Sequence, residues 1–318
     1  MRDSYEIVAT STHSREAVHP MNRSRGITLV VAAVAVLALG SAWAFSTNNS
    51  NSYDNAGMMS NNSQFNSVEA EMGMEHIHNL MLTDKELLIG THQGLWSQIT
   101  GEKATRVGGS QFDVMGMTMM NGMMVASGHP GEGEEDVNNL GFRMSMNGGM
   151  DWTSESLMGQ IDFHRLAASG NSAMGISAGD GAMMRSDDSG KTWSTLSNPG
   201  LYDLAMNPTN SQMVMGTTQS GPMMSTDGGK NFKAMSNAPI MSLLSWDKSR
   251  LMGITPAGIL HQSLDMGATW KKLATLPGEP VALTVKGKQV AVLAGSTIYY
   301  STDGGNTFKE RIVGVTGH

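Results

Sequence analysis

Apolar positions fall into two regimes along this chain. Ile27 to Phe45 (ITLVVAAVAVLALGSAWAF) is an uncharged run of 19 residues, long enough as a helix to cross a hydrocarbon core ~30 Å thick. From residue 76 onward the apolar stretches are short and separated by turns rich in Gly, Asn and Asp. That spacing predicts strands rather than helices. Near the C-terminus, Val281–Val285, Val290–Ala294, Thr297–Tyr300 and Phe308–Ile312 read as four consecutive strands. Between the two regimes, Ser46 to about Glu75 is rich in Asn, Ser, Gly and Met, the composition of a linker.

The strand region repeats. An octapeptide of the form S-x-[DN]-x-G-x-x-[WF] begins at Ser145, Ser186, Ser225, Ser263 and Ser301, at spacings of 38 to 41 residues. Its Asp or Asn can cap a turn through nearby backbone N–H groups, its Gly can take φ > 0, and its aromatic residue can anchor the next strand. A sixth, degenerate unit opens the region. Its strands are His78–Leu82, Glu86–Gly90 and Gly94–Ser97, and its turn at Thr100–Lys103 has lost the pattern. Four strands in about 40 residues is the size of a propeller blade. The expected fold is all-β, a six-bladed propeller over residues 76–318. Before it come a cytoplasmic segment (1–26), an apolar helix (27–45) and a disordered linker (46–75).

The octapeptide resembles the Asp-box of the sialidase-like (BNR-repeat) β-propellers, and the resemblance covers roughly three quarters of the chain. The segments EHIHNL, GTHQGLW, ASGHPGEGEEDVNNLGF and DFHRL look more narrowly like a bacterial group of exported propellers labelled glycosyl hydrolase or exo-alpha-sialidase-like. That resemblance implies a hydrolase of glycans. A sialidase uses an Arg triad for the substrate carboxylate, a Tyr nucleophile assisted by a Glu, and an Asp acid. Its first Arg lies in an [FY]-R-[IV]-P motif, which this chain lacks; Phe142-Arg143-Met144 is nearest, inside a repeat. Tyr202 lies on an expected inner strand, with no Glu evidently placed to activate it. The acidic loop Glu132–Asp136 could offer paired carboxylates, but reads more simply as a solvated loop. The balance is against a sialidase. A glycoside hydrolase and a non-catalytic binding or assembly platform stand as alternatives to the reading below.

Composition sharpens the chemistry. The chain has 29 Met and no Cys, which excludes disulfides, thiolate metal sites and a catalytic thiol. A net charge of −7 argues against a nucleic-acid partner. Arg23 and Arg25 precede the apolar run, so the positive-inside rule holds the N-terminus in the cytoplasm and exports the rest. The expectation is a signal anchor in the cytoplasmic membrane with an extracytoplasmic propeller. Ala42-Trp43-Ala44 has the form of a signal-peptidase site and gives the alternative, a protein secreted after cleavage behind Ala44.

The repeat frame places the histidines. Aligned first strands put His78, Met115, His164, Tyr202, Met241 and Val281 at one ring position, with His76, Asp113 and Asp162 two residues earlier. Residues two apart on a strand share a face. His92 and His129 fall at the ends of second strands, near the same mouth. The expected site is a metal cluster of His76, His78, His92, His129, His164, Asp113 and Met115, with Asp162, Tyr202 and Met241 as further axial residues. Imidazole, carboxylate and thioether together suit a transition metal, and a Met-rich, Cys-free exported chain points to copper. The Met residues of the propeller read first as adaptable core filler; Met58, Met59, Met72 and Met74 in the linker, with no core to fill, are the better candidates for copper capture. A small or glycan ligand at this pocket, or an acid–base role for the His/Asp groups, is the other use of the same residues.

Overall fold

The computed structural model describes residues 66–133 and 137–317. The apolar run 27–45, Met58 and Met59, and part of the acidic loop lie outside the described residues. The described chain forms six antiparallel sheets, each of four strands consecutive in sequence, and one of them gains a fifth strand. Blade 1 runs Ile77–Leu82, Leu87–Thr91, Gly94–Gln98, Thr105–Arg106, and blade 6 runs Pro280–Lys286, Gln289–Ala294, Thr297–Ser301, Lys309–Val313. The first strand of every blade contributes to the lining of one common channel, which includes Asn79, Thr118, Arg165, Asp203, Ser245 and Thr284. This is a six-bladed β-propeller.

The core is not central. Six apolar clusters sit between successive blades, the last of them joining blade 6 to blade 1 through Ala282, Leu293, Ile298 and Ile312 against Ile77, Leu80, Leu87 and Ile89. The ring therefore closes. Between blades 2 and 3, Phe142 and Phe163 are fully buried and meet the Trp193 ring at 5.2 and 5.0 Å between centroids. Burying a side chain of that size contributes about 2–3 kcal/mol.

All five octapeptide turns share one wiring. The Ser hydroxyl accepts from the Gly backbone N–H at 2.7–2.9 Å and donates to the Asp or Asn side chain at 2.7–3.0 Å. The Asp or Asn then accepts from backbone N–H groups further on, as Asp188 does from Thr192 at 2.9 Å. Gly190 shows why the fifth position is fixed. Its φ is +84°, and a Cβ there would lie 2.1 Å from the Phe142 ring of the preceding blade.

Order begins earlier than the composition suggested. Val68–Glu69 pairs in parallel with the last strand of blade 6, and Lys103 of blade 1 reaches Glu71 at 3.0 Å. Met74 is 1% exposed and belongs to the core between blades 6 and 1, whereas Met72 is 91% exposed. The expected linker thus overlaps a closing strap from residue 66, and Met74 fills core rather than waiting for a ligand. Asn-rich composition concealed this because a two-residue parallel strand needs no apolar alternation.

Candidate metal centre

A backbone irregularity builds the ring of side chains. In four first strands the pairing register slips at the same place, between Ile77 and Asn79, Val114 and Gly116, Phe163 and Arg165, and Pro280 and Ala282. The skipped residues are His78, Met115, His164 and Val281. A bulge of this kind re-aims the extra side chain. In blades 4 and 5, the N–H groups of Tyr202 and Ser242 bond to Thr217 and Ile254 of the second strand, marking the same ring position. Met241 is therefore one residue out of the expected alignment. It stands with Ile77, Val114, Phe163 and Leu201 in the buried core, and a Cβ on Gly253 would lie 1.9 Å from its sulfur. Its side chain packs with Ala205, Met215 and Leu251, away from the histidines.

Four of the five expected histidines and both expected aspartates form two triads rather than one cluster. In the first, His78 Nε2 lies 3.0 Å from Asp113 Oδ1, and His92 Nδ1 is hydrogen-bonded to Asp113 Oδ2 at 2.8 Å. His78 and Asp113 are buried, while the His92 side chain is 61% exposed. Burial alone would raise the Asp113 pKa; its contacts with His78 and then His92 outweigh that and hold it below the usual carboxylate value. In the second triad, Asp162 Oδ2 lies 3.0 Å from His129 Nε2 and 2.8 Å from His164 Nε2. The ligand-type atoms of each triad all lie within 4.8 Å of one another.

The two triads are built by the same device one blade apart. His92 directly follows the second strand of blade 1 and meets Asp113 on blade 2. His129 ends the second strand of blade 2 and meets Asp162 on blade 3. The third members differ: His78 comes from the blade of the first imidazole, His164 from the strand of the carboxylate.

The second triad is electrostatically unusual. Asp162 is 4% exposed, yet among the described residues no protein group hydrogen-bonds either of its oxygens. His129 Nδ1 lies 2.9 Å from the Asn138 carbonyl, an acceptor, so that nitrogen carries the proton. Its Nε2 then presents a lone pair to the carboxylate oxygen. Two acceptors at 3.0 Å repel unless a cation, a second proton or a metal, lies between them. A ligating imidazole that gives its other N–H to a carbonyl is the usual outer support of a metal site.

The other expected residues are placed as follows. His76 is exposed at φ +53°, its ring 6.1 Å from that of His92 and edge-on. Met115 is 6% exposed and, with His78, His164, Arg165 and Tyr202, lines a pocket of about 310 Å³. Tyr202 is 43% exposed, and its single hydroxyl proton faces the Thr218 and Met241 carbonyls at 3.1 and 3.2 Å. A neighbouring pocket of about 460 Å³ is lined by His129, Asp162, His164 and Asp180. The two pockets share His164, and the first also carries His78 of the first triad.

Sequence reasoning missed Arg165 and Asp203. Arg165 Nε lies 3.4 Å from Asp203 Oδ1, whose other oxygen accepts from the Leu244 N–H at 2.7 Å. Burial pushes the Asp203 pKa up to about 6 against the pull of Arg165. Each follows directly after a ring residue, His164 or Tyr202. Their charge at that channel position was the available signal.

The comparisons with known proteins concern shape. The chain superposes on a chain of a nidogen/laminin complex with TM-score 0.55 at 13% identity, covering 71% of this chain and 93% of that one. The likeness is one of fold. A GH74 xyloglucanase from Xanthomonas campestris gives TM-score 0.51 at 14% identity, over 78% of this chain and 46% of the enzyme. PorZ, a surface component of the type-IX secretion system of Porphyromonas gingivalis, gives 0.50 at 15% identity, over 77% of this chain and 33% of PorZ. No family profile matches the sequence, and no curated protein matches it.

Proposed function

We propose that this protein is a metal-binding propeller that takes a transition metal, copper by preference, at the two His/Asp triads on one mouth of the ring. The observation that carries it is Asp162: a buried carboxylate with no hydrogen bond from a protein group among the described residues, approached by two imidazole nitrogens, one of them with its lone pair facing the oxygen. A donor set of imidazole nitrogens and a carboxylate oxygen suits divalent transition ions such as Cu(II), Ni(II) and Zn(II). Cu(II) is also the divalent ion that such a donor set binds most tightly. A bound ion would leave positions open toward the pocket for a ligand.

The wiring of the octapeptide turns supports membership of the Asp-box propellers without sialidase chemistry. Arg143 is buried and stacks 5.0 Å from the Phe112 ring, so it is no surface carboxylate clamp. The Tyr202 hydroxyl is tied to two backbone carbonyls. Anchorage through residues 27–45 with the propeller outside the cytoplasm is part of the same proposal, since Met-rich, Cys-free composition suits an oxidising compartment.

The test is a Cu(II) and Zn(II) titration of the purified full chain, made without an affinity tag, alongside Asp113→Asn and Asp162→Asn. Two ions per chain, with one lost in each variant, is the expected result. Stoichiometry unchanged in both variants would refute the assignment.

A further inference from the structure

The two triads are related by a one-blade step, and that step assigns a role to a residue outside both. Moved on by one blade, His78, His92 and Asp113 become Met115, His129 and Asp162. Where the first triad has an imidazole on the bulge, the second has a thioether, and His164 is added from the next bulge.

Met115 behaves unlike the other buried methionines. Met74, Met81, Met117, Met120, Met124, Met174, Met183, Met206, Met215, Met241 and Met252 each belong to one of the apolar clusters between blades. Met115 is equally buried but belongs to none of them; it lines the pocket with His78 and His164. A buried thioether outside the apolar clusters, lining one pocket with an imidazole of each triad, is a soft donor at a candidate ligand position.

We infer that Met115 is a thioether ligand of the second metal site, so that the two sites differ in softness. The first, of imidazole and carboxylate, suits divalent ions. The second, with sulfur added, also holds Cu(I). This rests on the metal-site reading of the triads.

The experiment compares the full chain with Met115→Leu, a volume-conserving change, and with Met117→Leu, the core residue two positions on. Cu(I) affinity is measured by competition with a chromophoric chelator, and Zn(II) affinity by titration. Losing a ligand should cost no less than the ~10–100-fold that losing an outer partner costs. The expected result is a loss of that order in Cu(I) affinity for one equivalent in Met115→Leu. Zn(II) binding should be kept, and Met117→Leu should be unchanged. X-ray absorption of the Cu(I)-loaded protein should show a sulfur neighbour that Met115→Leu lacks.

Wild-type Cu(I) affinity in Met115→Leu, with stoichiometric Zn(II) binding by both proteins, would overturn the thioether assignment and leave the triads standing. Equal loss of both ions in Met115→Leu would overturn it too, by showing a packing role. A wild-type chain that binds neither ion would overturn the metal-site reading itself.

Discussion

Asp162→Asn gives a prediction whose sign depends on metal. Without metal, the wild-type carboxylate is buried with no hydrogen bond from a protein group among the described residues and faces a lone pair of His129. An unsatisfied buried polar group costs about 1–3 kcal/mol, more when charged. Asparagine removes the charge and can donate from Nδ2 to an imidazole nitrogen, so the metal-free variant should be the more stable by about that amount. For a domain of this size, ~2–4 °C accompanies each kcal/mol, a rise of about 2–12 °C. With Cu(II) at a hundredfold excess over Kd, each occupied site adds about 2.7 kcal/mol. The variant forgoes one such contribution. Differential scanning calorimetry of both proteins, with and without Cu(II), should therefore show a larger metal-induced rise in wild type than in Asp162→Asn. A metal-free variant that melts several degrees below wild type would refute the reasoning, since Asp162 would then be holding an ordinary ion pair.

Ring closure depends on Arg311, 1% exposed, which donates to the Gln98 side chain and carbonyl across the seam of blades 6 and 1. Arg311→Met leaves those acceptors buried and should cost about 2–4 kcal/mol in urea unfolding; an unchanged midpoint would count against the clamp. The folded-state pKa of Asp203 is raised by burial from 3.8 to about 6, so in that window the native state binds a proton that the unfolded state does not. Stability should accordingly rise as pH falls through about 6 and level off near 3.8, and Asp203→Asn should flatten that slope in pH-dependent unfolding. The octapeptide residues Asp188, Asp227 and Asp265 act oppositely. Side-chain bonds from Thr192, Asn231 and Thr269 lower each to about 2, so their support is present above 3.8 and lost toward pH 2. Asp227→Ala should soften acid unfolding at that end, and an identical acid limb would exclude the role.

The blades were legible because each turn is a local hydrogen-bonded unit whose Ser, Asp and Gly are required by the backbone they hold. The expected strand Thr297–Tyr300 is observed as Thr297–Ser301, and Gly94–Ser97 as Gly94–Gln98. The ring of His78, Met115 and His164 was legible for the same reason, since the blades share one register. Met241 misled because the bulge puts a core residue directly before the ring residue, and Ile240-Met241-Ser242 offers an apolar side chain at the wrong one. Division of the histidines into two triads was beyond the sequence. It depends on which carboxylate crosses each blade interface, a matter of distances between strands far apart in the chain. Arg165 and Asp203 each stand at the channel position directly after a ring residue, and only the fold pairs them, since they lie on different blades.

Crystals of the chain grown with Cu(II), measured at the copper absorption edge, test the metal-site proposal most directly. Anomalous density is predicted at two places, between His78, His92 and Asp113 and between His129, Asp162 and His164. Copper found only elsewhere, with neither triad occupied, would contradict it.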